Sequence, residues 1–140
     1  MNAYPTVKRD DASAGFFDAA RRKQLQMVRS PSGVILGPQA IIDPDDPLAV
    51  LEPVIVSGEG TLVSWVVVHK APRPALADSV PYISALVELT EGPWLIVRLI
   101  GTTEHLTAGM KVRVRYEPTG SDEDPGEVVP VFEPVEVSAE

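Results

Sequence analysis

Pro81-Tyr82-Ile83-Ser84-Ala85-Leu86-Val87-Glu88-Leu89-Thr90-Glu91-Gly92-Pro93-Trp94 is the stretch on which the fold turns. Ile83, Ala85, Val87 and Leu89 take every second position, with Ser84 and Glu88 between them, and Glu91-Gly92 follows as a hairpin signal. A strand sends successive side chains to opposite faces, so this period of two reads as a half-buried antiparallel strand running into a tight turn. The same grammar extends to both sides. Residues 54–56, 60–69, 94–100, 111–117 and 128–132 are rich in β-branched and aromatic residues. In the fourth of these, Val112, Val114 and Tyr116 alternate with Lys111, Arg113 and Arg115, which places the cations outward. Five main strands, with longer Pro- or Asp-rich connections at 71–80 and 119–127, predict a mainly β fold: a small five-stranded barrel of the oligonucleotide/oligosaccharide-binding (OB) type.

Upstream the pattern changes. Ser13 is placed to cap an amphipathic helix reaching to about residue 27, in which Phe16, Phe17, Ala20 and Met27 recur near a helical period while Asp18, Arg21, Arg22 and Lys23 take polar positions. Ser30-Pro31-Ser32-Gly33 and Asp43-Pro44-Asp45-Asp46-Pro47 then read as two turns, because short polar residues and prolines cannot continue a helix or a central strand.

The chain has 140 residues, 44% of them hydrophobic, and a net charge of −8. That length and apolar share suit one domain-sized core, and no apolar run approaches the ~20 residues of a membrane-spanning helix. Met1-Asn2-Ala3-Tyr4-Pro5 is not a basic segment leading into an apolar one, so a cytoplasmic location is expected. The absence of cysteine excludes disulfides, a thiolate nucleophile, iron–sulfur clusters and a thiolate zinc site. Charge is polarised along the chain. Lys8, Arg9, Arg21, Arg22, Lys23 and Arg29 fall in the first 30 positions, whereas residues 117–140 carry eight acidic residues and no basic one. The acidic tail reads as a solvated, mildly disordered segment. With four basic residues after Arg73, the chain offers a polyanion little attraction, which weighs against a nucleic-acid-binding OB module, the alternative reading from a different class.

Catalytic motifs are sparse. His69 and His105 stand far apart without a second ligand at metal spacing, and neither a G-x-S-x-G elbow nor a phosphate-binding P-loop is present. Asp43, Asp45 and Asp46 lack the glycine turn of a calcium loop. A stand-alone hydratase or thioesterase therefore lacks a paired acid and base. The best local candidate is His69-Lys70-Ala71-Pro72-Arg73, which closes an apolar strand and opens a loop with three basic or ionisable groups suited to a phosphate or carboxylate. Trp65 and Trp94 are read as packing residues of the barrel.

The order of residues over about 13–134 resembles the acyl-CoA-associated family known as domain of unknown function 35. The matching positions are Phe16-Phe17 with Leu25 and Arg29, Ser57-Gly58-Glu59-Gly60-Thr61, His69-x-Ala71-Pro72, Pro81-Tyr82, Ala85-Leu86-Val87-Glu88-Leu89, Glu91-Gly92, Gly101, Gly109-Met110-x-Val112 and Pro130-x-Phe132. The resemblance implies an N-terminal helix (1–29 with its tail), a zinc-ribbon segment (30–52), an OB domain (53–134) and here an acidic tail (135–140). Where such proteins carry two C-x-x-C knuckles, this chain has Ser30-x-x-Gly33 and Asp43-x-x-Asp46, so the ribbon is expected to be degenerate and to hold no metal. A structural zinc is worth on the order of 10 kcal/mol, and packing of Val34, Ile35, Leu36, Ile41 and Ile42, or a partner, is expected to offset its loss.

The resemblance further implies a non-catalytic accessory subunit that binds or channels acyl-CoA, with no cofactor of its own, for a thiolase-superfamily enzyme of the thiolase or steroid side-chain aldolase type. A hotdog-fold enoyl-CoA hydratase is the alternative partner. His69, Lys70, Arg73 and Tyr82 are the expected CoA contacts, and Phe16, Phe17 and Arg21 the expected partner face.

Overall fold

The computed structural model describes residues 6–71, 74, 80–101 and 105–135. Among these residues one helix precedes eight strands: α1 (Ala14–Arg21), β1 (Leu25–Arg29), β2 (Ile35–Leu36), β3 (Glu52–Val56), β4 (Glu59–Val68), β5 (Tyr82–Leu89), β6 (Trp94–Leu99), β7 (Lys111–Gly120) and β8 (Pro125–Pro134). The last five close into a barrel in the order β4-β5-β6-β8-β7. The seam is made by β4 and β7, from Glu59 opposite Arg113 to Thr61 opposite Lys111. Numbered along the chain, the barrel order is 1-2-3-5-4, with a parallel contact between β6 and β8 at Leu99 and Phe132, and this is the OB fold.

The alternation in β5 does what its period dictates. Ile83, Ala85, Val87 and Leu89 are each at most 3% exposed, and they meet Leu62, Leu99, Val112 and Phe132 in one core. A register shift between Leu62 and Ser64 marks a bulge in β4, the device by which a long strand bends round a small barrel. Gly92, at φ +119°, closes the β5–β6 hairpin, with its N–H donating to the carbonyl of Leu89.

The helix is shorter than its sequence suggests. Lys23 takes the left-handed conformation (φ 59°), and the N–H groups of Arg22, Lys23 and Gln24 satisfy the carbonyls of Ala19 and Ala20. Leu25–Arg29 is therefore a strand, pairing with β3 along its whole length and with β2 at its end. Leu25, Met27 and Arg29 have the spacing of a strand as well as fitting a loose helical pattern. The strand wins because it buries both Leu25 and Met27 to 1% exposure or less in the barrel core. Ser13 occupies the N-cap position but its hydroxyl donates to the Asp10 carboxylate instead of capping α1.

Two further expectations are corrected. The connection at 119–127 is mostly strand, since β7 runs to Gly120 and β8 begins at Pro125. Beyond the barrel this hairpin has open edges, which is where Pro118, Pro125 and Pro130 are tolerated in a ladder. The N-terminal segment covers it: the N–H of Glu127 donates to the Val7 carbonyl, and the Val7 N–H donates to Thr119 Oγ1. Gly126 is required at this crossing, because a Cβ would run into Thr119 Oγ1 and the backbone of Val7. The ribbon segment also differs. Val34 (47%), Ile41 (88%) and Ile42 (51%) are exposed and supply no compensating core, whereas Ile35 packs against the barrel.

Among the described residues no helix is long and apolar enough to cross a membrane.

Candidate functional site

An OB barrel presents ligands to the outer face of its second and third strands and to the loops beside them. Here those strands are β5 and β6. Because the odd-numbered residues of β5 fill the core, Tyr82, Ser84, Leu86 and Glu88 face outward. Register then builds rows across three strands: Ser64, Leu86 and Ile96 form one, and Val66, Ser84 and Arg98 the next. The face is apolar for an outer surface, with Ile96 80% exposed, Val66 60% and Trp94 53%. α1 and the ribbon wall it in. Phe16, Pro38, Leu86, Trp94, Ile96 and Arg98 line a groove of about 510 Å³ along β6.

One end of the groove carries charge on an aromatic. Arg98 sits diagonally across the β5–β6 ladder from Tyr82, and its guanidinium carbon lies 4.6 Å from the ring centroid. The stack holds the planar cation where β5 begins, directly after the connection that starts at His69 and Lys70. Both of these are exposed, and Tyr82 is partly buried. Arg73 lies outside the described residues. The structure therefore joins Tyr82 to Arg98, a cation on the outer face of β6, and sets Tyr82 opposite Val68, the residue before His69 and Lys70. The pairing signal was available in the strand register, since Tyr82 and Arg98 straddle a hairpin centred on Glu91-Gly92.

Trp65 packs against the core as expected, but Trp94 does not; it stands half-exposed on the groove. Arg113 and Arg115, the other outer-face cations, both pair with Glu133, at 3.0 and 3.2 Å. Desolvation raises the pKa of Glu133, but the two arginines outweigh it and hold the carboxyl below its usual range. On the helix, Phe16 packs edge-on against Phe17 (5.5 Å between centroids) and against the barrel core. Arg21 reaches Glu127 at 3.3 Å with its side chain still 59% exposed.

The positions where the resemblance puts metal ligands do not suit a metal ion. Gly33 has no donor and sits at φ +97°, and Asp46 is exposed. Ser30 and Asp43 remain, a hydroxyl and a single buried carboxylate, which is not the donor set of a structural zinc ion. Among the described residues no three His, Asp or Glu side chains gather into a metal-holding cluster. His69 and His105 are both exposed and lie on different connections.

Comparison with known proteins follows the fold closely. Residues 53–117 match the family model described as the ChsH2 C-terminal OB-fold domain. The chain is 33% identical over 139 residues to the probable enoyl-CoA hydratase alpha subunit of Thermomonospora curvata, covering 93% of this chain and 39% of that protein. It is 34% identical over 113 residues to the 3-oxo-4,17-pregnadiene-20-carboxyl-CoA hydratase alpha subunit of Mycobacterium tuberculosis, covering 80% and 35%. The chain thus spans between a third and two fifths of the length of these curated relatives. Among solved structures, a chain of the Ltp2-ChsH2(DUF35) aldolase superposes with a TM-score of 0.71 at 32% identity, over 93% of this chain and 98% of that one. A DUF35-family protein of unknown function from Sulfolobus solfataricus shares the fold, with a TM-score of 0.55 at 16% identity over 74% and 77%.

Proposed function

The chain belongs to the DUF35 family of OB-fold proteins represented by ChsH2, and from this premise we propose that it is a non-catalytic accessory subunit of an acyl-CoA-processing enzyme. The observation that carries the reading is the match to the aldolase-associated chain over 98% of that chain's length. It favours an aldolase as the partner; we take that aldolase to be thiolase-like and its substrate to be a steroid or other bulky acyl-CoA.

The groove is suited to that ligand. A CoA thioester joins a multiply charged phosphate end to a long apolar arm. Lys70 and Arg98, the latter on its tyrosine, supply charge-assisted contacts for phosphate together with His69 and Tyr82, and Arg73, which lies outside the described residues, is proposed with them from its place in the sequence. Trp94, Ile96 and Leu86 supply an apolar track leading away from them. Phe17 and Arg21 on α1, with Phe16 holding the helix to the barrel, present the side offered to the enzyme. Among the described residues neither exposed histidine is paired with an acid or a base, and the role proposed is to hold substrate and not to break bonds.

A hydratase partner is the second reading, favoured by the two relatives named as hydratase alpha subunits. Co-expression with an acyl-CoA aldolase subunit and, separately, with an enoyl-CoA hydratase subunit tests the choice. The account expects a stable heteromer with the aldolase on gel filtration. Co-elution with the hydratase alone transfers the assignment to the second reading, and co-elution with neither overturns the accessory role.

A further inference from the structure

Strand β6 carries an edge that the barrel leaves open. It pairs with β5 along its whole length, from Trp94 opposite Glu88 to Leu99 opposite Ile83, but with β8, among the described residues, at Leu99 and Phe132 alone. Hydrogen-bonded pairs alternate along an antiparallel ladder, and the Leu89 N–H donates to the Pro93 carbonyl at 2.9 Å. Leu95 and Val97 therefore turn their backbone groups to β5, and Trp94 and Ile96 turn theirs toward β8. The Ile100 N–H follows the same parity and donates to the Phe132 carbonyl at 2.7 Å. One step back along this parallel ladder, the donor to the Ile96 carbonyl would be the backbone of residue 130, which is Pro130 and has no N–H. The ladder stops there, and the groove of about 510 Å³ opens between β6 and Pro130.

Natural sheets blunt an exposed edge with proline, charge or a bulge. Trp94–Leu99 has no proline, its pairing with β5 has no bulge, and Ile96 is 80% exposed. The surroundings limit what can cover such an edge. Phe16 of α1 and Pro38 and Gln39 of the ribbon wall the groove, and its volume is that of a small-ligand site. Arg98, stacked on Tyr82, is the charged residue of its lining and stands toward one end. The occupant that fits is a slender chain with amides along an apolar body and an anion at one end.

We infer that the edge of β6 takes the pantetheine arm of an acyl-CoA as an added strand: the amides of the arm pair with the backbone of Trp94 and Ile96, and the phosphate end lies toward Arg98. The inference rests on the acyl-CoA reading above and adds to it the part of the ligand that main-chain groups recognise.

Residue-resolved amide hydrogen exchange tests it on the full chain and on its heteromer, with and without saturating CoA, alongside calorimetric titration. Without ligand, Trp94 and Ile96 should exchange faster than Leu95 and Val97, which bond to β5; equal protection would mean that the edge is already covered and would overturn the proposal. CoA should slow Trp94 and Ile96 by roughly tenfold or more, as an added strand does. CoA that binds and leaves these two amides unchanged overturns the strand pairing while the acyl-CoA reading stands. CoA that binds neither the chain nor the heteromer overturns both. An enzyme subunit that slows the same amides in the absence of CoA makes the edge a protein interface and overturns the pantetheine assignment. Ile96→Pro deletes the edge-facing N–H and keeps the β5 ladder, so its affinity for CoA should fall roughly tenfold below that of Ile96→Ala, which keeps the N–H. Equal affinities in the two folded variants contradict the inference.

Discussion

Arg9 lies across the carboxylate of Glu127 with its fork nearly parallel to it, Nε at 2.9 Å from Oε2 and Nη2 at 3.0 Å from Oε1. The residues are 118 positions apart, and Arg21 joins the same carboxylate from α1 while Asp18 takes the remaining edge of Arg9. The polarised charge of the sequence is thus resolved inside the molecule. The basic N-terminus is strapped over the acidic β7–β8 hairpin, and α1 is fixed to the barrel through a shared anion.

Glu127 is the buried member of this cluster, its side chain 10% exposed, so its loss removes the anion that Arg9 and Arg21 share and leaves Arg9 with Asp18 alone. Glu127→Ala should lower stability by about 1–2 kcal/mol, at the low end for a charged hydrogen bond because the arginines can turn to solvent. Lys8→Ala, which removes an ion pair whose side chains are 63% and 64% exposed, should leave the denaturation curve unchanged. Parallel urea titrations check both.

The same carboxyl sets a pH dependence. The Arg9 hydrogen bond holds Glu127 below its ordinary pKa of 4.5 in the fold, opposed by desolvation. A folded pKa below the unfolded one means that the stabilisation is complete above about pH 4.5 and is lost as pH falls through the depressed folded value. The melting-temperature gap between wild type and Glu127→Gln should therefore be widest near neutrality and shrink in acid. A gap that stays constant to low pH would remove Glu127 from the acid response.

Replacing Lys70 and Arg73 together by alanine should weaken acyl-CoA binding by the complex by on the order of 2–4 kcal/mol if both engage phosphate. Raised salt should reproduce part of the loss. Stability should move by no more than about 0.5 kcal/mol, since Lys70 is exposed on a connection. Calorimetric titration with matched melting curves measures this, and equal dissociation constants would shift the phosphate contacts to Arg98 or to the enzyme.

Trp94 and Phe132 separate groove from core. Phe132 is fully buried, so Phe132→Ala should destabilise the barrel by about 3–5 kcal/mol. Trp94 is 53% exposed; Trp94→Ala should cost little stability but weaken acyl-CoA binding by roughly 1–2 kcal/mol, the value of covering part of a large apolar side chain. Denaturation and binding measured on both variants should give opposite rankings.

The barrel was legible because β5 declares itself: strict alternation in Ile83 to Leu89 and a glycine turn leave one interpretation, and the remaining strands repeat its composition. The helix end was not, because Leu25 and Met27 satisfy two periods at once and tertiary burial chooses between them. Trp94 misleads for a related reason. Register across β5 and β6, not residue type, decides that it faces the groove. The Arg9–Glu127 strap left no local trace, since its partners stand at opposite ends of the chain and only the fold brings them together. The candidate loop at His69 and Lys70 stands out in the sequence by its charge, whereas Arg98 becomes a candidate only through its stack on Tyr82.

Turnover of an acyl-CoA substrate by an aldolase-type partner, assayed with and without this chain, tests the accessory role most directly. The account predicts no turnover by the chain alone and full activity of the enzyme only in the heteromer. Turnover by the isolated chain above roughly 1 per second, or partner activity that is the same in its absence, would contradict it.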